Sequence, residues 1–227
     1  MKLGAIGVIV AARTGSSRLP GKALLPLQGV PMITYLLRRL SSVKTGRVVF
    51  ATTTLSADDR LADIVHAEGV PVYRGEDADV VARYVGACQA FGFDTAARVT
   101  GDCPFVDAFL VDWCNSEAAR LEAFDLATTK GRFPVGLDIE IFSAARMQRL
   151  HDDGNLSPAE REHLTLYFYD RKDEERVRII PLPEGWHRTA QHFTVDTQPD
   201  YEAAQRFAAA LAPTDPIQRL LEIADSR

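Results

Sequence analysis

Cysteine is scarce in this 227-residue chain: Cys88, Cys103 and Cys114 are odd in number and lie 15 and 11 residues apart. That arithmetic excludes a disulfide framework and a zinc knuckle, and it predicts reduced thiols in a cytoplasmic protein. Positive charge is in deficit. The 26 Lys and Arg against 31 Asp and Glu leave a net charge of -5, which argues against a nucleic-acid or anionic-membrane surface. No apolar run has membrane-spanning length. The apolar N-terminus up to Ala12 imitates a short secretion signal, but Arg13 follows at once and cleavage would remove the first predicted strand. Internal repeats, low-complexity tracts and clean linkers are also missing, as is any Ser/His/Asp or Cys/His grouping of a hydrolase. Hydrophobic residues make up 46% of the chain, enough for one α/β domain to bury roughly 70% of its unfolded surface without staples.

Against these absences one segment stands out. Residues 11–22 read Ala-Ala-Arg-Thr-Gly-Ser-Ser-Arg-Leu-Pro-Gly-Lys. They follow the apolar run 6–10, a buried strand by its pattern, and precede an amphipathic helix that begins near Pro31. A loop at a strand end faces ligands. This one holds three cations (Arg13, Arg18, Lys22), two glycines and two serine hydroxyls, an inventory suited to a triphosphate. It is not a Walker loop, because five residues separate Gly15 from Gly21 and Ala23 follows the lysine. It is not a dinucleotide fingerprint either, since the Gly-x-Gly-x-x-Gly spacing is missing, which disfavours a Rossmann oxidoreductase.

The first half alternates period-2 and period-3.6 segments, predicting an α/β fold: a three-layer, Rossmann-like, mostly parallel sheet flanked by helices. Expected strands cover 5–10, 47–51, 70–73, 95–99, 124–128, 137–142, 177–182 and 193–195. Helices are expected near 31–40, 61–69, 77–91 and 107–121. One more should run from the capping box at Ser157–Glu160 to about Asp170, and two lie after Pro199, broken at Pro213 and Pro216. The whole chain, 1–227, reads as one domain in which 133–190 forms a small strand-and-helix excursion.

Asp102 and Asp196 each follow a predicted strand, at the carboxyl edge where open α/β sheets bind ligands. Two such carboxylates can share one hard cation such as magnesium, although Gly101-Asp102-x-Pro104 and Asp196-x-x-Pro199 also suit turns and caps. Asp79 and Arg83 are spaced as an i,i+4 surface pair. Thr53 ends a strand, and Asp138 and Glu140 emerge on one face of another.

The loop 11–22, in its Ala-Ala-Arg-x-Gly-Ser-x-Arg-Leu-Pro-Gly-Lys form, resembles the signature of the sugar nucleotidyltransferases. It is most similar to the cytidylyltransferase branch that contains the sialic acid and Kdo activating enzymes and the spore coat polysaccharide biosynthesis protein F group. The resemblance extends through Arg74–Tyr84, Thr-Gly-Asp102-Cys-Pro, Gly136-Leu-Asp138-Ile-Glu140-Ile-Phe142, Arg161-Glu162-His163 and the Asp196 segment. It implies transfer of a cytidylyl group from CTP to a sugar or sugar acid, with release of pyrophosphate.

On that resemblance Arg13 and Lys22 are catalytic. The nucleotide falls to Ala11, Ala12, Arg13, Gly15, Ser16, Ser17, Lys22, Thr53, Asp79 and Arg83. Asp102 and Asp196 hold Mg2+ or Mn2+, and Asp138, Glu140, Arg161, Glu162 and His163 meet the sugar. Arg132, Arg161 and Arg188 are candidates for a sugar carboxylate. The partners implied are small molecules and a second copy in a homodimer, with no nucleic acid and no membrane. A transferase for GTP or UTP, and a nucleotide-binding module without catalysis, remain open on the residues alone.

Overall fold

The computed structural model describes residues 3–184, 186, 189–212 and 214–226. Its centre is β1 (Ile6–Ala11), whose alternation sends Val8 and Val10 to one core and Ile9 to another on the opposite face. That is the period-2 signature of a strand covered on both sides. A two-residue hairpin, β2 (Pro26–Leu27) and β3 (Val30–Pro31), then leads into α1 (Met32–Leu40). The chain continues through β4 (Arg47–Thr53), α2 (Asp59–Ala67), β5 (Val72–Gly75), α3 (Val80–Phe91), β6 (Thr95–Thr100) and α4 (Ala108–Arg120). After these come β7 (Leu126–Thr128), β8 (Glu140–Ser143), α5 (Ala144–Asp152), α6 (Pro158–Glu162), α7 (Leu166–Asp170), β9 (Val177–Ile179), α8 (Gln198–Ala209) and α9 (Ile217–Asp225).

Among the described residues, seven strands form one sheet in the order β5-β4-β1-β6-β8-β7-β9. Every neighbouring pair is parallel except those made by β8, which runs antiparallel to both β6 and β7. The expected fold class is therefore observed. From β1 the chain steps outward to β4 and β5, then returns to β6 on the other side of β1. The sequence order thus reverses between β1 and β6, so the loops at their carboxyl ends diverge and leave a crevice there. Helices α1, α2, α4, α8 and α9 cover one face, while α3, α5 and α7 cover the other.

Several boundaries differ from expectation, each for a local reason. The helix from Ser157 to Asp170 is broken into α6 and α7. Leu164 is buried and Thr165 turns its hydroxyl inward to Glu140, so the chain leaves the helix at His163 (φ -107°, ψ 85°) to seat both. Residues 193–195 form no strand, because Phe193 donates to the Val135 carbonyl at 2.8 Å and Val195 to that of Asp102 at 2.8 Å. The segment bridges two neighbours instead of laddering along one. The strand expected over 177–182 stops at Ile179, just short of Pro181 and Pro183. Helix α5 has no counterpart in the expectations. Of the segment 133–190, β8 and β9 lie in the main sheet, and α5 and α7 pack under it. The Pro213 break falls outside the described residues.

Candidate active site

The crevice between the ends of β1 and β6 is a cavity of about 330 Å³. Its lining includes Ala11, Ala12, Arg13, Gly15, Ser16, Ser17, Arg18 and Lys22 from the first loop. Across from them stand Arg83, Tyr84, Arg98, Thr100, Asp102, Glu162, His163 and Asp196. The loop is fixed by an acid the sequence did not single out. Asp58, after β4, accepts from the Thr14 amide at 2.7 Å, the Thr14 hydroxyl at 2.6 Å and the Thr53 hydroxyl at 2.5 Å. Burial would raise its pKa, but these donors hold the carboxyl below its ordinary value. Gly101 lets the two strand ends approach, since a Cβ there would lie 2.6 Å from that of Ala12.

Lys22 is the electrostatic centre of this cavity. Its ammonium lies 2.7 Å from Asp102 Oδ2 and 2.8 Å from Asp196 Oδ1, and Arg18 adds a contact of 3.1 Å to Asp196. Burial works to lower the Lys22 pKa, but the charge and hydrogen bonds of the two carboxylates more than offset it and raise it above the ordinary lysine value. For Asp102, burial pushes upward and is outweighed by the charge and hydrogen bond of Lys22, so the pKa is lowered. Asp102 and Asp196 come together because the Val195 amide donates to the Asp102 carbonyl. Neither side chain caps a helix here: Thr197, with Asp200, forms the capping box of α8. Two carboxylate oxygens converging on one ammonium can equally reach one hard cation. They leave the rest of an octahedron to water and phosphate oxygens, a donor set that fits magnesium or manganese.

Arg13 is held by Asp77 at 3.0 Å, with Glu162 at 3.9 Å. Arg83 is buried and donates to the carbonyls of Glu76 and Asp77, both at 2.8 Å, so it shapes the turn that holds Arg13. The surface pair of Asp79 with Arg83 that the spacing suggests does not form. Asp79 instead caps α3 through the Ala82 amide and pairs with Arg161 at 2.6 Å. Asp79, Arg161 and Thr53 are outside the residues lining this cavity.

A second cavity of about 250 Å³ adjoins the first and shares Arg98, Thr100 and Asp102 with it. Cys103, Lys130, Val135, Gly136, Asp138, Glu140 and Thr194 complete it. Gly136 has φ of 90°, and a Cβ there would lie 2.5 Å from the Thr194 amide nitrogen. Glu140 is nearly buried and receives Arg98 Nη1 at 2.7 Å, the Tyr169 hydroxyl at 2.6 Å and the Thr165 hydroxyl at 3.0 Å. Burial raises its pKa, yet Arg98 and these donors bring it below the ordinary glutamate value. Lys130 carries its ammonium 4.4 Å from the centre of the Tyr169 ring. Burial pushes the Cys103 thiol up to about 12, so it stays neutral and is no nucleophile at pH 7.

The structure thus gathers Arg13, Lys22, Asp102, Asp196, Glu162 and His163 into one cavity, with Asp138 and Glu140 in the adjoining one. Arg132 is exposed and outside both linings, and Arg188 lies outside the described residues. Sequence reasoning missed Asp58, Arg98, Thr100, Lys130 and Thr194. A period-2 reading of β6 could have placed Arg98 and Thr100 on the same side as Asp102.

A family model described as cytidylyltransferase matches residues 7–221. The spore coat polysaccharide biosynthesis protein SpsF of Bacillus subtilis is 31% identical over 206 residues, covering 86% of this chain and 82% of SpsF. The 3-deoxy-manno-octulosonate cytidylyltransferase of Methylococcus capsulatus is 32% identical over 189 residues, covering 78% and 67% of the two chains. A cytidylyltransferase structure from Leptospira borgpetersenii superposes with a TM-score of 0.90 at 29% identity, over 98% of this chain and 94% of that one.

Proposed function

The chain belongs to the cytidylyltransferase family and is a nucleotidyltransferase, and from that premise we propose that it moves a cytidylyl group from CTP to a sugar or sugar acid. The observation that carries this reading is the convergence of Lys22, Asp102 and Asp196 in a cavity lined by the basic loop. In the reaction an acceptor hydroxyl oxygen bonds to the α-phosphorus as the bond from that phosphorus to the α,β-bridging oxygen breaks. Pyrophosphate leaves with the electron pair, and the hydroxyl proton passes to solvent. Little covalent chemistry is asked of the protein, which must position the reactants and neutralise charge.

Arg13 and Lys22 are the catalytic cations in this reading. Gly15, Ser16, Ser17 and Arg83 border the nucleotide with Ala11 and Ala12. Asp102 and Asp196 would hold magnesium or manganese. When bound, such an ion offsets the charge of the phosphate oxygens. Lys22, released from the two acids, would meet the phosphates. Asp138 would meet the acceptor from the second cavity, and Glu162 and His163 would reach it from the first. The homodimer, the cytoplasmic setting and a surface-polysaccharide destination for the product belong to the same proposal and rest on the family alone. Among the described residues no helix is long and apolar enough to cross a membrane.

The test is release of pyrophosphate from CTP and magnesium with a panel of acceptors that includes 3-deoxy-manno-octulosonate, N-acetylneuraminate and neutral sugars. Turnover with CTP and at least one acceptor is expected. Turnover that prefers GTP or UTP, or binding without turnover across the panel, overturns the reading.

A further inference from the structure

Nucleotidyl transfer makes its new bond between two reactants, so the α-phosphorus must sit where the nucleotide cavity meets the acceptor cavity. Three described residues line both: Arg98, Thr100 and Asp102. Arg98 is the cation among them. The basic loop, by contrast, lines only the first cavity.

The guanidinium is held from one side. On its inner side Nη1 donates to Glu140 Oε2 at 2.7 Å. Glu140 is itself pinned by Tyr169 from α7 and by Thr165 just before that helix. Burial alone would lower the Arg98 pKa, but Glu140 more than offsets this and raises it, so the charge is permanent. The Tyr84 hydroxyl, also buried, lies beside the guanidinium and is pushed up to about 12 by burial, so it stays a neutral neighbour. The side chain is still 27% exposed, on the side of the cavities. A planar cation with one edge engaged and part of its surface open is suited to the nonbridging oxygens of a phosphoryl group.

We propose that Arg98 is a catalytic residue that contacts the α-phosphoryl oxygens during transfer, and that Glu140, with Thr165 and Tyr169, is a positioning residue for it. This rests on the nucleotidyl-transfer reading and extends it. It also gives Glu140 a task other than touching the sugar. Three of the four lone-pair positions of its carboxylate are already taken by donors from the protein.

Calorimetry with CMP and with cytidine tests the proposal without an acceptor. The wild-type protein should bind CMP at least about tenfold more tightly than cytidine, the difference being the single phosphoryl group. In Arg98→Gln that ratio should fall to within about threefold, with cytidine affinity unchanged. Arg98→Lys should keep part of it, and serves where the glutamine variant does not fold. Glu140→Gln should lose an intermediate part, and should cause no further loss when combined with Arg98→Gln, because a residue that acts through another has nothing left to position. A ratio in Arg98→Gln equal to that of the wild type overturns the proposal while the nucleotidyl-transfer reading stands. A Glu140→Gln effect that persists in the double variant overturns the positioning role. A wild-type protein that binds neither CMP nor CTP overturns both.

Discussion

The first cavity takes most of one wall from a single stretch of chain, residues 11–23, whereas the cavity beside it assembles Arg98, Lys130, Asp138 and Thr194 from three separate segments. Their charges are handled differently too. On the loop side Lys22 rests on two carboxylates, and Arg13 and Arg18 are partly exposed, so these ion pairs can be exchanged for a ligand. On the far side Glu140 is sealed under Arg98, Tyr169 and Thr165. The difference teaches that one wall is built to release its cations and the other to hold its cation still.

Removing the exchangeable cation tests the first half of that contrast and should give the largest effect. Lys22→Met should lower kcat by about 10²- to 10³-fold, the usual cost of losing a charge-stabilising group at the reacting centre. Because the side chain is only 13% exposed between two acids, its loss also leaves Asp102 and Asp196 facing each other. Stability should fall by about 2 kcal/mol, and added magnesium or manganese should restore part of the melting temperature. Unchanged melting with and without the ion would show that the acids do not share a cation.

Gly136→Ala probes the far wall at its tightest point. A methyl group there meets backbone 2.5 Å away at φ of 90°, so a loss of more than about 1 kcal/mol is expected. Acceptor KM should rise more than CTP KM. Equal effects on the two would erase the division between the cavities.

Acid titration sharpens the contrast from both sides. The Asp102 and Glu140 pKa values are lowered on folding. Their contribution to stability is therefore present above their ordinary values of 3.8 and 4.5, and is lost as pH falls through the lower folded values. Lys22 is raised above 10.5, so its contribution is present below that value and lost as pH climbs through the folded one. Asp102→Asn and Glu140→Gln should each flatten the acid limb of a pH-dependent unfolding curve. Lys22→Met should flatten the alkaline limb, Asp102→Asn should flatten it in part because its charge helps to raise Lys22, and Glu140→Gln should leave that limb unchanged.

The smallest effect is expected where neither cavity is touched. Arg161→Ala removes the pair with Asp79, worth under about 1 kcal/mol when partly exposed, and turnover should stay within about threefold of wild type. A hundredfold loss would bring that helix junction into the site.

Much of the loop wall was legible in the sequence because its chemistry is contiguous. Arg13, Gly15, Ser16, Ser17 and Lys22 lie within ten residues of one another, and the strand before them is an uninterrupted apolar run. Asp102 was legible as an acid at a strand end, and Asp196 as an acid after an expected strand that does not form; that the Val195 amide would bring the two together was not legible. Asp58, Lys130 and Thr194 were not legible. Their neighbours are set by sheet register and by the crossing of segments far apart in the chain, which no local pattern encodes. The same cause split the expected 158–170 helix, where burial of Leu164 and the Thr165 contact to Glu140 outweighed helical propensity.

The lysine that bridges Asp102 and Asp196 makes the resting cleft electrically self-contained. A stray anion such as inorganic phosphate gains little by entering, because it must first pull an ammonium away from two counter-charges and leave them bare. An anion that arrives with its own dication swaps one positive partner for another, and no net charge is stranded at any stage. On the nucleotidyl-transfer reading, the phosphates that would displace Lys22 therefore enter with their dication.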